Sequence, residues 1–232
     1  PDDWWKAANR VVGELARKKP KAVAAVAGIG LSGQQHGATL LDPSGRVLRP
    51  AILWNDARAF AECRELETRE PRARAIAGNI PLAGFTAPKL VWVRKHERGI
   101  FAKVAKVLLP KDYVRLRMTG DSASDMSDSA GTFWLDVGRR AWSEELLAAS
   151  DMRLDQMPSL YEGTQPTGRL TAAVARSWGM LLRPVVAGGG GDNAASACGI
   201  GAVTPGSAFI SIGTSGVLFV SNDRFRPNAE RA

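Results

Sequence analysis

The sequence predicts an α/β fold. Three observations lead there. Short apolar or β-branched runs alternate with stretches of helical periodicity from end to end. Two of those runs empty into glycine-rich turns, at residues 188–191 and 213–216. No fixed-period repeat or low-complexity tract interrupts the pattern. With 232 residues, 45% of them apolar, the chain is long enough for one large domain, or a domain and a half, around a real core.

The elements follow in order. Asp2 or Asp3 caps a helix in which Trp5, Ala8, Val12 and Leu15 recur at helical spacing, ending near Lys18-Lys19-Pro20. A buried strand is expected over residues 22–32. Leu40-Leu41, the turn Asp42-Pro43-Ser44-Gly45 and Val47-Leu48 make a hairpin, and Ala51-Ile52-Leu53-Trp54 extends the same sheet. Asn55 or Asp56 caps the next helix, with Ala59, Cys63 and Leu66 on its inner face. From there to Gly120 the pattern is mainly helical, with caps at Thr86 and Asp112, Pro88 in a first turn, and a strand-like break at Val107-Leu108-Leu109-Pro110. Residues 121–129 read as a polar loop, and Trp134-Leu135-Asp136-Val137 as a short strand. Ser143-Glu144-Glu145 starts a helix with acids in its first turn, and residues 170–180 form the last clear one. A strand over residues 184–187 then runs into the glycines, and a hairpin spans residues 208–220. Gly199, Gly201 and Pro205-Gly206 mark the expected boundary, giving one domain over residues 1–201 and the opening of a second over 202–232.

Composition excludes several classes. The net charge of +8 is scattered among acids with no basic block interleaved with aromatics, so nucleic acid is not an expected partner. A basic surface of this kind gives mild attraction for anionic substrates such as nucleotides. Cys63 and Cys198 stand far apart, in no disulfide or zinc spacing, which fits a reducing cytoplasm. The longest apolar run, residues 22–31, is about half of the ~20 residues a membrane-spanning helix needs, and no secretory signal opens the chain.

The glycine turns carry the chemistry. Asp192 stands where the strand over residues 184–187 gives way to a helix, behind four residues without side chains, so a ligand is expected to approach the backbone there. An ordinary helix cap is the plain alternative, but a cap needs no such clearance. The turn Gly213-Thr214-Ser215-Gly216 between two strands can wrap phosphate oxygens. One carboxylate and one phosphate cradle suggest phosphoryl transfer. No Walker pattern is present. Residues 189–194 fit the loose dinucleotide pattern Gly-x-Gly-x-x-Ala, but the following helix is short, no acid sits at the ribose offset, and Asp192 would oppose a pyrophosphate. Gln34, Gln35 and His36 lie between two glycines at a strand end, which suits a polyhydroxylated molecule, and Trp54 at another strand end is placed to stack on a sugar. Neither His36 nor His96 has a partner at metal spacing, so no metal ligand is assigned. The other tryptophans read as core.

Six segments together resemble the FGGY carbohydrate kinases, in particular those acting on xylulose. They are Gly33-Gln34-Gln35-His36-Gly37-Ala38, Ala51-Ile52-Leu53-Trp54-Asn55-Asp56, residues 84–96, Leu109-Pro110-Lys111-Asp112-Tyr113, residues 188–196 and Ser211-Ile212-Gly213-Thr214-Ser215-Gly216. The block over residues 84–96 matches the family signature, with Lys89 and Trp92 in place. The resemblance implies an actin-like, ribonuclease-H-like α/β fold. It also implies ATP-dependent phosphorylation of D-xylulose on its terminal hydroxyl, with Mg2+. Asp192 falls on the family's catalytic base, Gln35 and His36 on its substrate-binding pair, Trp54 on an aromatic lining the polyol pocket, and Gly213, Thr214 and Ser215 on the turn that receives the phosphates of ATP. Gln35 stands where the family usually has methionine, which touches the sugar contacts and not the base. A family member acting on ribulose or glycerol, and a non-catalytic sugar or nucleotide sensor, remain the alternatives.

The resemblance further implies that the family's opening phosphate hairpin precedes Pro1 and that most of the nucleotide-holding domain follows Ala232. The chain is therefore expected to be a truncated N-terminal domain with the opening hairpin of the second, inactive alone. Strand edges left uncovered in such a piece invite self-association, so a homodimer stands among the expected partners, with D-xylulose and ATP.

Overall fold

A computed structural model describes residues 1–212, 216–228 and 230. Three strands make the central sheet, with Val185–Ala187 in the middle. It runs parallel to Gly28–Ile29 and antiparallel to Pro166–Arg169. Beyond it, Gly190–Gly191 pairs parallel with Ser32–Gly33, Gly190 opposite Ser32 and Gly191 opposite Gly33. The two segments therefore leave the sheet side by side, which delivers Gln35 and His36 from one and Asp192 from the other to the same end. That end, past the carboxyl ends of parallel strands, is where α/β proteins bind ligands.

The main apolar core packs on the helix Thr86–His96, whose Ala87, Leu90, Val91 and Val93 are wholly buried against Leu40, Ile52, Leu66, Phe133 and Trp134. A second cluster joins Met118, Leu170, Trp178 and Val186 to Trp5 and Val12 of the first helix, Asp2–Lys18. Trp5 and Trp178 meet with ring centroids 5.7 Å apart. Among the described residues no helix is long and apolar enough to cross a membrane.

Several expectations hold. Thr39–Leu41 runs into a turn with Gly45 at φ 76°, pinned by Asp42 Oδ1 accepting from the Ser44 and Arg46 amides, before Val47 bridges back to Leu41. Ile52 continues the sheet by bridging Ala38. Lys106–Leu108, Leu135–Asp136, Val185–Ala187 and the strands Ala208–Ile212 and Gly216–Val220 form as expected, and Ser143 caps Glu144–Ala149.

Others need correction. Residues 22–32 are not one buried strand. A short helix, Pro20–Ala24, takes the start, and only Gly28–Ile29 and Ser32–Gly33 are extended. These strands sit at sheet edges with Gly28 and Ser32 exposed. Alanine runs suit a helix as well as a buried strand, which periodicity alone does not distinguish. Asp56 does not cap the helix Phe60–Arg69. Its carboxylate turns back to the Arg58 amide and guanidinium, and Ala59 is the residue before the helix. Asp2, Asp3, Thr86 and Asp112 lie inside first turns and not ahead of them. Residues 121–129 are not a loop. Ala123–Asp125 is a strand parallel to Ser159–Tyr161, and Met126–Ala130 is a helix whose Ser127 and Asp128 amides are capped by the Asp125 carboxylate. Buried polar residues carry no apolar periodicity, so this segment resembles a solvated loop in sequence.

Candidate functional site

Asp192 is the first residue of the helix Asp192–Gly199 and its residue is exposed, with Gly191 ahead of it as N-cap. Among the described residues its carboxylate hydrogen bonds come from Asn193 alone, through the amide N–H (2.9 Å) and side-chain Nδ2 (3.2 Å), both to Oδ1. The carboxylate is thus steadied by its neighbour without being consumed.

The glycines ahead of it serve a different purpose from the one expected. Gly188 N–H donates to the Gln165 carbonyl (2.9 Å), Gly189 N–H to Gly163 (2.8 Å) and Gly190 N–H to Leu31 (3.0 Å). A Cβ on Gly188 would run into the Glu162 carbonyl, and one on Gly189, at φ 76°, into that of Leu31. At Gly188 and Gly189 the clearance is filled by the protein's own backbone, while a Cβ on Gly191 would meet the Gln35 side chain.

His36 adopts φ 67°, a left-handed conformation costing a non-glycine residue roughly 1–3 kcal/mol. Three contacts hold it. Its Nδ1 lies 2.7 Å from the Gly131 carbonyl, and its own carbonyl accepts from Lys89 Nζ (2.8 Å) and Thr86 Oγ1 (3.2 Å). The ring rests on Phe85, 4.7 Å between centroids. Burial lowers the imidazole's pKa below its ordinary value and the Lys89 ammonium adds to this, while the Gly131 bond and the Asp192 charge pull the other way. A neutral ring donating Nδ1–H to a carbonyl keeps Nε2 as an acceptor. The glycines flanking this segment are also packing positions. A Cβ on Gly33 would lie 3.0 Å from Lys111 Cβ, and one on Gly37 2.5 Å from Pro110 Cγ.

Gln35 lies against the base-bearing loop, since a Cβ on Gly191 would sit 2.7 Å from its Nε2. That Nε2 donates to the Ser127 carbonyl (3.0 Å). Trp54 is 45% exposed. Gly84 abuts its carbonyl, a Cβ there falling at 2.6 Å, and the next residue is the Phe85 that carries His36. The structure thus brings Gln35, His36 and Asp192 together, with Trp54 reached through Gly84-Phe85. Gly213, Thr214 and Ser215 lie outside the described residues.

Sequence reasoning missed the charge cluster beneath the site. Lys111 Nζ pairs with Asp112 (2.6 Å), Asp125 (2.7 Å) and Asp128 (3.2 Å), all at most 4% exposed. Burial opposes the Lys111 charge, but the three carboxylates outweigh it and raise its pKa. Burial and the neighbouring carboxylates raise that of Asp128, against the pull of Lys111. Arg115, also buried, donates to Thr167 and to the carbonyls of Ala187 and Gly188, fastening the start of the glycine run. The positions Lys111, Asp112 and Arg115 on one helix gave no hint that they would be buried together. Among the described residues no group of three or more His, Cys, Asp or Glu is placed to hold a metal ion, and the carboxylates of Asp112, Asp125 and Asp128 are paired with the Lys111 ammonium. A cavity of about 650 Å3 flanks the glycine run, between Leu31, Met126, Ala130, Leu135 and Ala194, and neither Asp192 nor His36 lines it.

Comparison with known proteins agrees with this architecture. The chain is 55% identical to the xylulose kinase of Escherichia coli (strain K12), over all of this chain and 47% of that protein, and 42% identical to that of Bacillus subtilis (strain 168), over 94% and 44%. It superposes on a crystal structure named as a xyloylose kinase from Brucella ovis with a TM-score of 0.91 at 58% identity, covering 94% of this chain and 45% of that one. It also superposes on the xylulose kinase of Rhodospirillum rubrum at 0.91 and 27% identity, covering 98% and 48%. The chain spans about half the length of the curated relatives it matches. The model for the FGGY family of carbohydrate kinases, N-terminal domain, matches residues 1–199, and the α/β architecture is the one expected for that domain. The chain therefore belongs to the FGGY family of carbohydrate kinases.

Proposed function

We propose that the full-length protein transfers the γ-phosphoryl group of ATP to the terminal hydroxyl of D-xylulose, giving D-xylulose 5-phosphate and ADP. The observation that carries the reading is the parallel pairing of Ser32–Gly33 with Gly190–Gly191, which sets an exposed carboxylate beside Gln35 and His36 at one sheet end. The xylulose kinases among the relatives support the choice of sugar.

Each residue has a role that its geometry permits. In a loose phosphoryl-transfer transition state the protein mainly positions groups, so Asp192 need only orient the hydroxyl and accept its proton late. His36, its Nδ1–H given to Gly131, accepts a sugar hydroxyl at Nε2. Gln35 keeps its amide oxygen for another hydroxyl, and the Trp54 face receives the apolar side of the sugar chain. ATP enters as its magnesium complex, a substrate, with its phosphates at Gly213, Thr214 and Ser215.

Coupled ADP release from the full-length protein, run against a panel of ketoses and polyols, tests the substrate. Turnover selective for xylulose is expected, and preference for another polyol would replace it. Asp192→Asn is expected to lower kcat by at least about a thousandfold while calorimetry still detects xylulose binding. Wild-type turnover in that variant would remove Asp192 from the mechanism.

A further inference from the structure

We propose that Ser127 is a positioning residue that sets the distance between the catalytic base and the sugar-binding glutamine. The inference rests on the reading of Asp192 and Gln35 given above. Ser127 Oγ accepts the Gly191 N–H (3.1 Å), the amide immediately before Asp192, while the Ser127 carbonyl accepts Gln35 Nε2 (3.0 Å). One half-buried residue therefore holds both halves of the site, which reach it from positions 92 and 64 residues away in the chain.

Ser127 is itself locked from below. Its backbone N–H (2.9 Å) and its Oγ–H (2.5 Å) both donate to Asp125 Oδ2. With its proton spent on Asp125, the hydroxyl oxygen has lone pairs left, and Gly191 N–H takes one. Asp125 is 1% exposed, and its other oxygen, Oδ1, pairs with Lys111 at 2.7 Å. A buried ion pair is weak evidence of stability, and here it holds one oxygen of Asp125 while the other receives Ser127. The line runs from Lys111 through Asp125 and Ser127 to Gly191. The line ends on a backbone N–H, which keeps its proton, so it acts by placement. Errors of about 1 Å in such placement are known to cost on the order of a hundredfold in rate.

The hydroxyl and the carbonyl of Ser127 have separate duties, which makes the role testable. In the full-length kinase, Ser127→Ala removes the hold on Gly191 and keeps the carbonyl for Gln35. We expect kcat to fall about 10- to 100-fold, with the xylulose KM and the calorimetric Kd changed less than about threefold. Ser127→Thr, which restores the hydroxyl, should recover most of kcat. Gln35→Ala should do the reverse of Ser127→Ala, raising KM more than it lowers kcat.

The proposal is overturned if Ser127→Ala keeps wild-type kcat. It is also overturned if the fall in kcat is accounted for by the fraction of folded protein lost, measured by circular dichroism on the same sample, or if Ser127→Thr leaves the defect unrepaired. Should Ser127→Ala fail to fold while Ser127→Thr folds with full activity, the role is structural and the proposal is likewise overturned. Failure of the underlying reading looks different: Asp192→Asn would then turn over normally, or the wild-type protein would phosphorylate no ketose.

Discussion

Replacing Lys89 by methionine tests the electrostatics under His36. Lys89 is wholly buried, and its Nζ donates to the His36 carbonyl at 2.8 Å. Burial holds its pKa down to about 7 against an ordinary 10.5, with the Asp56 charge opposing only in part. Unfolding restores the ordinary value. Between the two values the unfolded chain binds nearly one proton more than the folded one, so stability must rise with pH across that window. Below about pH 7 both states carry the proton and the full penalty of burying an ammonium applies; above about pH 10.5 both are neutral and the penalty is gone. At 1.36 kcal/mol per pH unit per proton, the wild-type protein should gain about 2 kcal/mol on Lys89→Met between about pH 7.5 and 9. Methionine fills nearly the same volume and carries no titratable proton, so the difference isolates this group. Urea unfolding at a series of pH values, followed by tryptophan fluorescence, measures it. Parallel stability curves for the two proteins would refute the reasoning, because they would mean that Lys89 keeps an ordinary pKa in the folded state.

Two further outcomes follow from the site. Gly191 has φ −58° and ψ 152°, which any residue adopts, so Gly191→Ala brings no backbone strain but sets a methyl 2.7 Å from Gln35 Nε2. The xylulose KM should rise about tenfold, roughly one lost hydrogen bond, and steady-state kinetics should show no further rise when the change is made on top of Gln35→Ala. For His36, the lowered pKa predicts a xylulose KM that stays flat from neutral pH down past 6.5 and rises only below it, as protonation of Nε2 removes an acceptor. A KM–pH profile breaking at or above 6.5 would contradict this, and His36→Ala should abolish the break.

Much of the site was legible because it rests on local chemistry. A carboxylate after a strand and a glycine run, followed by small helix-forming residues, predicts Asp192 at a helix start, and the structure places it there. Polar residues between glycines at a strand end marked Gln34, Gln35 and His36 for a polyhydroxylated ligand, the resemblance singled out Gln35 and His36, and those two lie beside Asp192 and its loop. The reason for the glycines was not legible. Whether a missing Cβ makes room for a ligand or for the Leu31 and Glu162 carbonyls depends on what lies across the gap, and no spacing in the sequence records that. The same limit hid Asp125, Asp128 and Ser127, which read as solvated loop because buried ion pairs have the composition of a surface.

The sequence by itself determined the α/β class, the hairpin around Asp42 and Gly45, and the helix that buries Leu90 and Val91. Periodicity, turn residues and charge act over a few positions, so they survive in a linear reading. Only the tertiary structure decided that residues 32–36 and 190–192 emerge in parallel, and that Lys111, Asp125 and Ser127 lie beneath them as their support. The pairings that bring Gly33, Gln35 and Gly191 together join segments more than sixty residues apart. Their energy comes from removing charge and backbone from water at one place, a property of the folded volume and of no single stretch of chain.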